Sequence, residues 1–278
     1  MNYGQKYAEY KKLTEEALEL PELKDSKLYR PMIHSLKAGG KRIRPVLTLA
    51  FCEAFGGDIK KALPVAAAIE ILHTSTLIQD DLPCMDDDDL RRGQPSCHKA
   101  FSEADAVLSA SLMAYHAIGL TEDPEIIKWL CRFMAEVYEG QKLDLSYTER
   151  EDLGVSEILE VYALKTCALL QAACLAGCLT AKSGEAAVEK AVEYAYNLGL
   201  AFQITDDILD ETSDPETLGK PVKSDSKNQK RTYVTAVGRK QAKKDSATYT
   251  EKALEVLKDI PNNEFLTELT KKMSDRKN

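Results

Sequence analysis

Basic charge is the first thing this sequence is short of: 37 lysines and arginines face 45 acidic residues, a formal net charge of -8 over 278 residues. Proteins that neutralise nucleic-acid phosphates carry the opposite balance on at least one face, so no nucleic-acid partner is expected. An anionic ligand must then be held by local basic clusters or by metal. Long apolar runs are wanting as well. The opening MNYGQKYAEYKKLTEEALEL interleaves charge with apolar positions as an amphipathic helix does, and no segment reads as membrane-spanning. The expectation is a chain with no membrane span, located in the cytoplasm. Seven cysteines without a secretory signal do not suggest a disulfide framework, and Cys174 and Cys178, one helical turn apart with no histidine nearby, are expected as reduced core thiols. Low-complexity linkers, short repeats and a β-hairpin signature are all missing. The length is within reach of one large domain, so residues 1–278 are taken as a single unit.

Proline is absent between Pro124 and Pro215, a stretch rich in good helix formers. Within it Val188, Ala191, Val192, Ala195, Leu198, Gly199 and Phe202 recur at steps of three and four, the stripe of one buried helix. Breaks are expected at Ala38-Gly39-Gly40, Gly56-Gly57-Asp58, Leu82-Pro83, Gly93-Gln94-Pro95, Asp123-Pro124, Ser183-Gly184 and Ser213-Asp214-Pro215. The polar, lysine-rich segment 211–232 reads as a loop and a candidate lid.

Two acidic clusters stand out against this frame. In Asp80-Asp81-Leu-Pro-Cys-Met-Asp86 followed by Asp87, Asp88 and Asp89, six carboxylates crowd into ten residues and repel one another unless a cation compensates. On an unbroken helix Asp80 and Asp86 would lie about 240° apart, but Pro83 should end the helix and let Asp86 fold back. A lone acidic run is ordinarily a solvated loop. The second cluster, Gln203-Ile-Thr-Asp206-Asp207-Ile-Leu-Asp210, changes that weighing, because it sits in an apolar helix and its spacings of three and four place the side chains on one face. Two such helices facing across a cavity could hold magnesium, completed by phosphate oxygens and water.

Basic residues fit the same picture, although each motif alone could be ordinary surface charge. Lys41 and Arg44 follow a double glycine, Arg91 and Arg92 follow the first acidic run, and arginine's planar fork matches phosphate oxygens. His73 lies two turns before Asp80, and Lys165-Thr166 interrupts an apolar helix where a cation calls for an anionic partner.

GGKRIRP, DDLPCMD followed by RRG, LKT, FQITDDILD and GKPVKSD, in this order from about residue 30 onward, resemble the trans-type isoprenyl diphosphate synthases, the family of farnesyl and geranylgeranyl diphosphate synthases. The resemblance implies an all-α, antiparallel helical bundle around a deep central cavity, usually a homodimer. It implies several magnesium ions on Asp80, Asp86, Asp206, Asp207 and Asp210 with Asp81 close by, and isopentenyl diphosphate on Lys41, Arg44, His73 and Arg92. Arg91, Lys165, Thr166, Gln203 and Lys220 would hold the allylic diphosphate or face its developing cation. Small residues at Ser75 and Thr76, below the first acidic motif, favour geranylgeranyl over farnesyl diphosphate as product. Departures from the family pattern fall at Gln79, Ser102, Ser109, Ser111 and Lys223. A terpene cyclase would share the cavity but needs no second diphosphate site, which GGKRIRP and RRG supply. A non-catalytic partner subunit usually loses one acidic cluster, and both are present here.

Overall fold

The computed structural model describes residues 1–148, 150, 152–212 and 231–275. Several helices begin where a side chain takes up a free backbone N–H, and some end close to glycine or proline. Asn2 and Gln5 form a reciprocal cap for α1 (Tyr3–Ala17), and a short 3₁₀ turn leads to α2 (Tyr29–Lys37). The double glycine, with φ of 86° at Gly39 and 130° at Gly40, separates α2 from α3 (Ile43–Ala54). Asp58 caps α4 (Ile59–Asp80), which stops before Pro83 as the sequence requires. After a one-turn α5 (Cys97–Ala100), Ser102 caps α6 (Glu103–Ile118), and Asp123 with Pro124 opens α7 (Pro124–Tyr147). Then come α8 (Val155–Tyr162), a π-helical turn (Ala163–Cys167), α9 (Ala168–Thr180) and α10 (Glu185–Thr212). Beyond the undescribed stretch lie α11 (Tyr233–Val237), α12 (Arg239–Leu257) and α13 (Glu264–Ser274). Most of the expected 211–232 loop falls outside the described residues, as do Lys220, Lys223 and the break at Pro215.

The last two helices before the undescribed stretch, α9 and α10, run antiparallel. Along α9 and α10 the contacts Cys167 Sγ to Tyr196 O, Gln171 Nε2 to Val192 O and Cys178 Sγ to Ala187 O rise on one helix as they fall on the other. The centre is formed by α3 and α9, buried along almost their whole length, with α4 beside them. At Gly177 a Cβ would lie 2.4 Å from the Thr48 carbonyl oxygen, so that crossing requires glycine. A satellite cluster of Leu153, Ile158, Ile204, Ile208, Tyr233, Val234 and Ala242 ties α8 and α11 to the end of α10. All seven cysteines are unpaired, and Cys174 and Cys178 are core residues as expected.

Two expectations need correction. Residues 59–80 and 155–180 are long and apolar enough to cross a membrane by length and composition, but 72% and 56% of their most apolar windows are buried inside the protein, as core helices are. The chain also contains a hairpin, though only two residues per strand: Leu90–Arg91 pairs antiparallel with Gln94–Pro95 across Arg92-Gly93, whose φ angles of 54° and 77° are those of a type I′ turn.

One buried ionic cluster fixes the loop between α2 and α3. Arg42 has no exposed side-chain surface; its guanidinium donates to Glu15 and Glu70, at 2.8 Å each, and to the Leu36 carbonyl. Arg42 itself is left-handed at φ 53°, a conformation costly for arginine and held here by three elements at once.

Candidate active site

The first acidic motif is a helix end that doubles back. After α4 stops, the Asp86 N–H donates to the Asp80 carbonyl at 2.9 Å, bringing the two aspartates together as Pro83 predicts. Burial, with Asp86 and Asp81 adding repulsion against the pull of Lys165, pushes the Asp80 carboxyl up to about 6. Asp81 is turned elsewhere: it is almost fully buried and ion-paired with Arg91, which also reaches Asp88 at 3.0 Å. The hairpin that supplies Arg91 also directs Arg92 onto the Gly39 carbonyl, and a Cβ at Gly40 would come within 2.8 Å of the Arg92 guanidinium carbon. The double glycine is therefore a seat for an arginine as much as a flexible break.

Arg44 and His73 form the second basic element. Arg44 Nη1 donates to His73 Nε2 at 3.2 Å, and Arg44 Nε is buried with no partner among the described residues. Burial lowers Arg44 to about 10. Burial and then the Arg44 and Arg92 charges hold His73 well below its ordinary value, so the ring is neutral and accepts with Nε2. Lys41 has an exposed side chain, and its carbonyl takes the Tyr7 hydroxyl.

A cavity of about 160 Å³ joins Asp80 to the Arg44–His73 pair. Its wall includes Arg44, His73, Thr76, Leu77, Gln79 and Asp80 from α3 and α4, Met85, then Val137, Tyr138 and Gln141 from α7, and Lys165, Thr166 and Leu169. The π turn is what delivers Lys165 and Thr166, since one extra residue in a helical turn re-aims the side chains around it. Lys165 Nζ pairs with Asp144 at 2.7 Å, and Thr166 donates to Gln203 Oε1 at 3.0 Å. Gln203 in turn approaches Asp207 at 3.4 Å, so the cavity wall reaches the second acidic cluster through Thr166. Asp207 is buried, accepting from the Tyr162 hydroxyl and from the Tyr233 N–H at 2.9 Å; Asp210 Oδ1 is buried without a partner among the described residues, and Asp206 is half-buried on the same helix. Lys41, Asp81, Asp86, Arg91, Arg92, Gln203 and the second aspartate cluster are not in the cavity wall itself. Nor is Ser75, whose hydroxyl is fully buried on the Leu72 carbonyl; Thr76, one residue on, faces the cavity.

Gln141, Asp144 and Tyr138 were not singled out from sequence. Their signal is the spacing Val137, Gln141, Asp144, a polar pair on the core-facing stripe of an otherwise ordinary helix. Gln141 is 7% exposed, and both polar atoms of its amide lack partners among the described residues while it lines the cavity. Gly140 allows this approach: a Cβ there would sit 2.4 Å from the Lys165 backbone nitrogen. Gly140→Ala is expected to displace the π turn, lowering kcat by roughly a hundredfold for an ångström of misplacement. Steady-state kinetics checks this, and an unchanged kcat would show that the close approach is not needed.

The sequence matches the polyprenyl synthetase family over residues 25–273. The chain belongs to that family. It is 39% identical over 261 residues to the geranylgeranyl diphosphate synthase of Cyanophora paradoxa, covering 89% of this chain and 87% of that protein. To the farnesyl diphosphate synthase of Geobacillus stearothermophilus it is 41% identical over 241 residues, covering 82% and 81%. The chain spans 63% of the length of another relative, geranylgeranyl pyrophosphate synthase 4 of Arabidopsis thaliana, at 39% identity over 81% of this chain. The solved geranylgeranyl pyrophosphate synthetase of Pyrococcus horikoshii superposes with a TM-score of 0.90 at 29% identity, covering 99% of both chains. The all-helical architecture is thus that of a polyprenyl synthetase.

A polyprenyl synthetase resemblance implies magnesium, and the donor chemistry fits it. Both clusters offer only hard carboxylate oxygens, and the orphaned Asp210 Oδ1 is a buried acceptor awaiting a cation. Among the described residues no three metal-binding side chains converge on one point.

Proposed function

We propose that this chain is a short-chain prenyl diphosphate synthase, acting as a single domain on two substrates. It joins isopentenyl diphosphate head to tail to dimethylallyl, geranyl or farnesyl diphosphate and releases diphosphate, giving farnesyl or, preferentially, geranylgeranyl diphosphate. The observation that carries this reading is one cavity whose wall includes both Asp80, Lys165 and Thr166 and the Arg44–His73 pair. Two anion-holding groups at one cavity suit a condensation of two diphosphates, where a cyclase needs one.

Asp80, Asp86, Asp206, Asp207 and Asp210, with Asp81 behind them, would hold magnesium, which when bound neutralises the charge of a departing diphosphate. Lys165 stands where that charge grows, and its cation adds to the stabilisation. Thr166, on the cavity wall and held at 3.0 Å on the Gln203 amide oxygen behind it, would present a neutral hydroxyl oxygen to the allylic carbon as it becomes cationic. Arg44, backed by Arg92 and Lys41, would fix the second diphosphate so that its double bond meets that carbon at a set distance. Apolar walls from Leu77, Val137 and Leu169 keep water from capturing the cation. Thr76 on the cavity wall is small, which supports the longer product.

A homodimer in the cytoplasm is the proposed working form. Val107, Leu108 and Tyr115 leave an exposed apolar face on α6 that a second copy would cover, and seven unpaired thiols suit a reducing compartment. One relative is named as the large subunit of a heterodimeric synthase, so light scattering on the purified chain should distinguish two copies from one. The test of function is chromatography of products from the purified protein with magnesium, labelled isopentenyl diphosphate and each allylic primer. Label recovered in prenyl diphosphates supports the reading. Label left wholly in isopentenyl diphosphate, or geranyl diphosphate consumed equally well without it, contradicts it.

A further inference from the structure

We propose that Tyr138 sets the length of the product, as the outer wall of the tail end of the cavity; this rests on the condensation reading above. The cavity measures about 160 Å³. An apolar cavity of about 150 Å³ accommodates benzene, so the whole space, diphosphate end included, is no larger than roughly one five-carbon unit needs. A product of three or four such units needs several times that volume. The difference must come from wall residues that yield.

Few of them are free to do so. Val137 at 5% and Leu169 at 2% exposure are backed by other buried side chains, and Thr76 is small, with its hydroxyl held on the His73 carbonyl. Met85 is unbranched and adapts its shape without opening a new path. Tyr138 is different: it lines the cavity and is also 45% exposed, the most exposed apolar side chain of that wall, so its ring stands between the cavity and the outside of this chain. It lies six residues before Asp144 on α7, about 9 Å along the helix from the Lys165–Asp144 pair, away from the diphosphate end. A growing tail that fills the cavity therefore meets this ring, and growth stops when the ring is not displaced. Ser75, the position expected from sequence to act as floor, does not face the cavity.

The test compares product distributions of the native enzyme, Tyr138→Ala, Tyr138→Phe and Tyr138→Trp, each with labelled isopentenyl diphosphate and dimethylallyl diphosphate. Removing the ring should raise the share of products at least one five-carbon unit longer by roughly tenfold or more, the scale on which apolar pockets discriminate. Phenylalanine keeps the ring and should keep the native distribution, whereas tryptophan should shorten it. Because Tyr138 is partly exposed, the variants should fold; if alanine does not yield soluble protein, the tryptophan arm decides. An unchanged distribution in Tyr138→Ala and Tyr138→Trp overturns the proposal, as does loss of the first condensation in Tyr138→Ala, which would place the residue at the diphosphate end. A native enzyme that forms no prenyl diphosphate refutes the functional reading instead.

Discussion

Replacing Asp80 by alanine is expected to lower turnover roughly a thousandfold, about 4 kcal/mol of transition-state stabilisation. Asp206→Ala is expected to do the same, and both should weaken isopentenyl diphosphate binding far less, because in the proposed reading Arg44 and His73 would hold that substrate from α3 and α4. The structure supplies a control against unfolding. Folding raises the Asp80 carboxyl from 3.8 to about 6, with burial as the main cause. The folded state thus binds this proton more tightly than the unfolded state, so the contribution of Asp80 to metal-free stability is fully present below about pH 4 and is lost as the pH rises through about 6. The ionised carboxylate then costs roughly 2–3 kcal/mol at neutral pH. Asp80→Ala should therefore match or exceed the native thermal midpoint at pH 7 without magnesium while losing turnover. Normal turnover in both aspartate variants would discredit the metal assignment, and a collapsed midpoint would make Asp80 a structural residue.

Arg42→Ala is expected to cost about 3–5 kcal/mol in urea unfolding, the second large effect. The guanidinium has no exposed side-chain surface, and Glu70, 2% exposed, would be left as a buried charge without its arginine. Glu15 on α1 and the Leu36 carbonyl at the end of α2 would lose the same partner. Substituting Arg42 and Glu70 together by apolar residues of similar size removes the uncompensated charge, so the double variant should recover much of the loss. Equal destabilisation in single and double variants would mean that the left-handed backbone at Arg42, and not the ion pairs, is the costly feature.

The helical frame was legible because its signals are local and repeated: Pro83, Gly39-Gly40 and Asp123-Pro124 each end or begin a helix where the sequence places the break. The acidic clusters stood out because carboxylates are unusual in an apolar helix such as LGLAFQITDDILD, although Asp207 there also bonds Tyr162 and the Tyr233 N–H, a structural role that spacing does not show. What escaped depended on single residues. The hairpin at Leu90–Pro95 has two residues per strand and an Arg-Gly turn in place of the usual Asn-Gly, too short for alternation to register. The π turn at Lys165 shifts the helical phase by one residue, which an apolar periodicity of seven or eight residues does not resolve. Ser75 and Thr76 differ by about 100° around α4, enough to put one into the packing and the other into the cavity. The departures from the family pattern are similarly local: Gln79 lines the cavity, Ser102 caps α6, Ser109 is buried, and the exposed Ser111 bonds back to Val107.

The most direct test of two aspartate clusters sharing one metal-bound diphosphate is anomalous diffraction from crystals grown with manganese and an unreactive allylic thiodiphosphate. Manganese should appear between the carboxylates of Asp80 and Asp86 on one side and those of Asp206 and Asp210 on the other, with the diphosphate bridging the ions beside Lys165. Manganese bound to either cluster alone, with the diphosphate elsewhere, would contradict it.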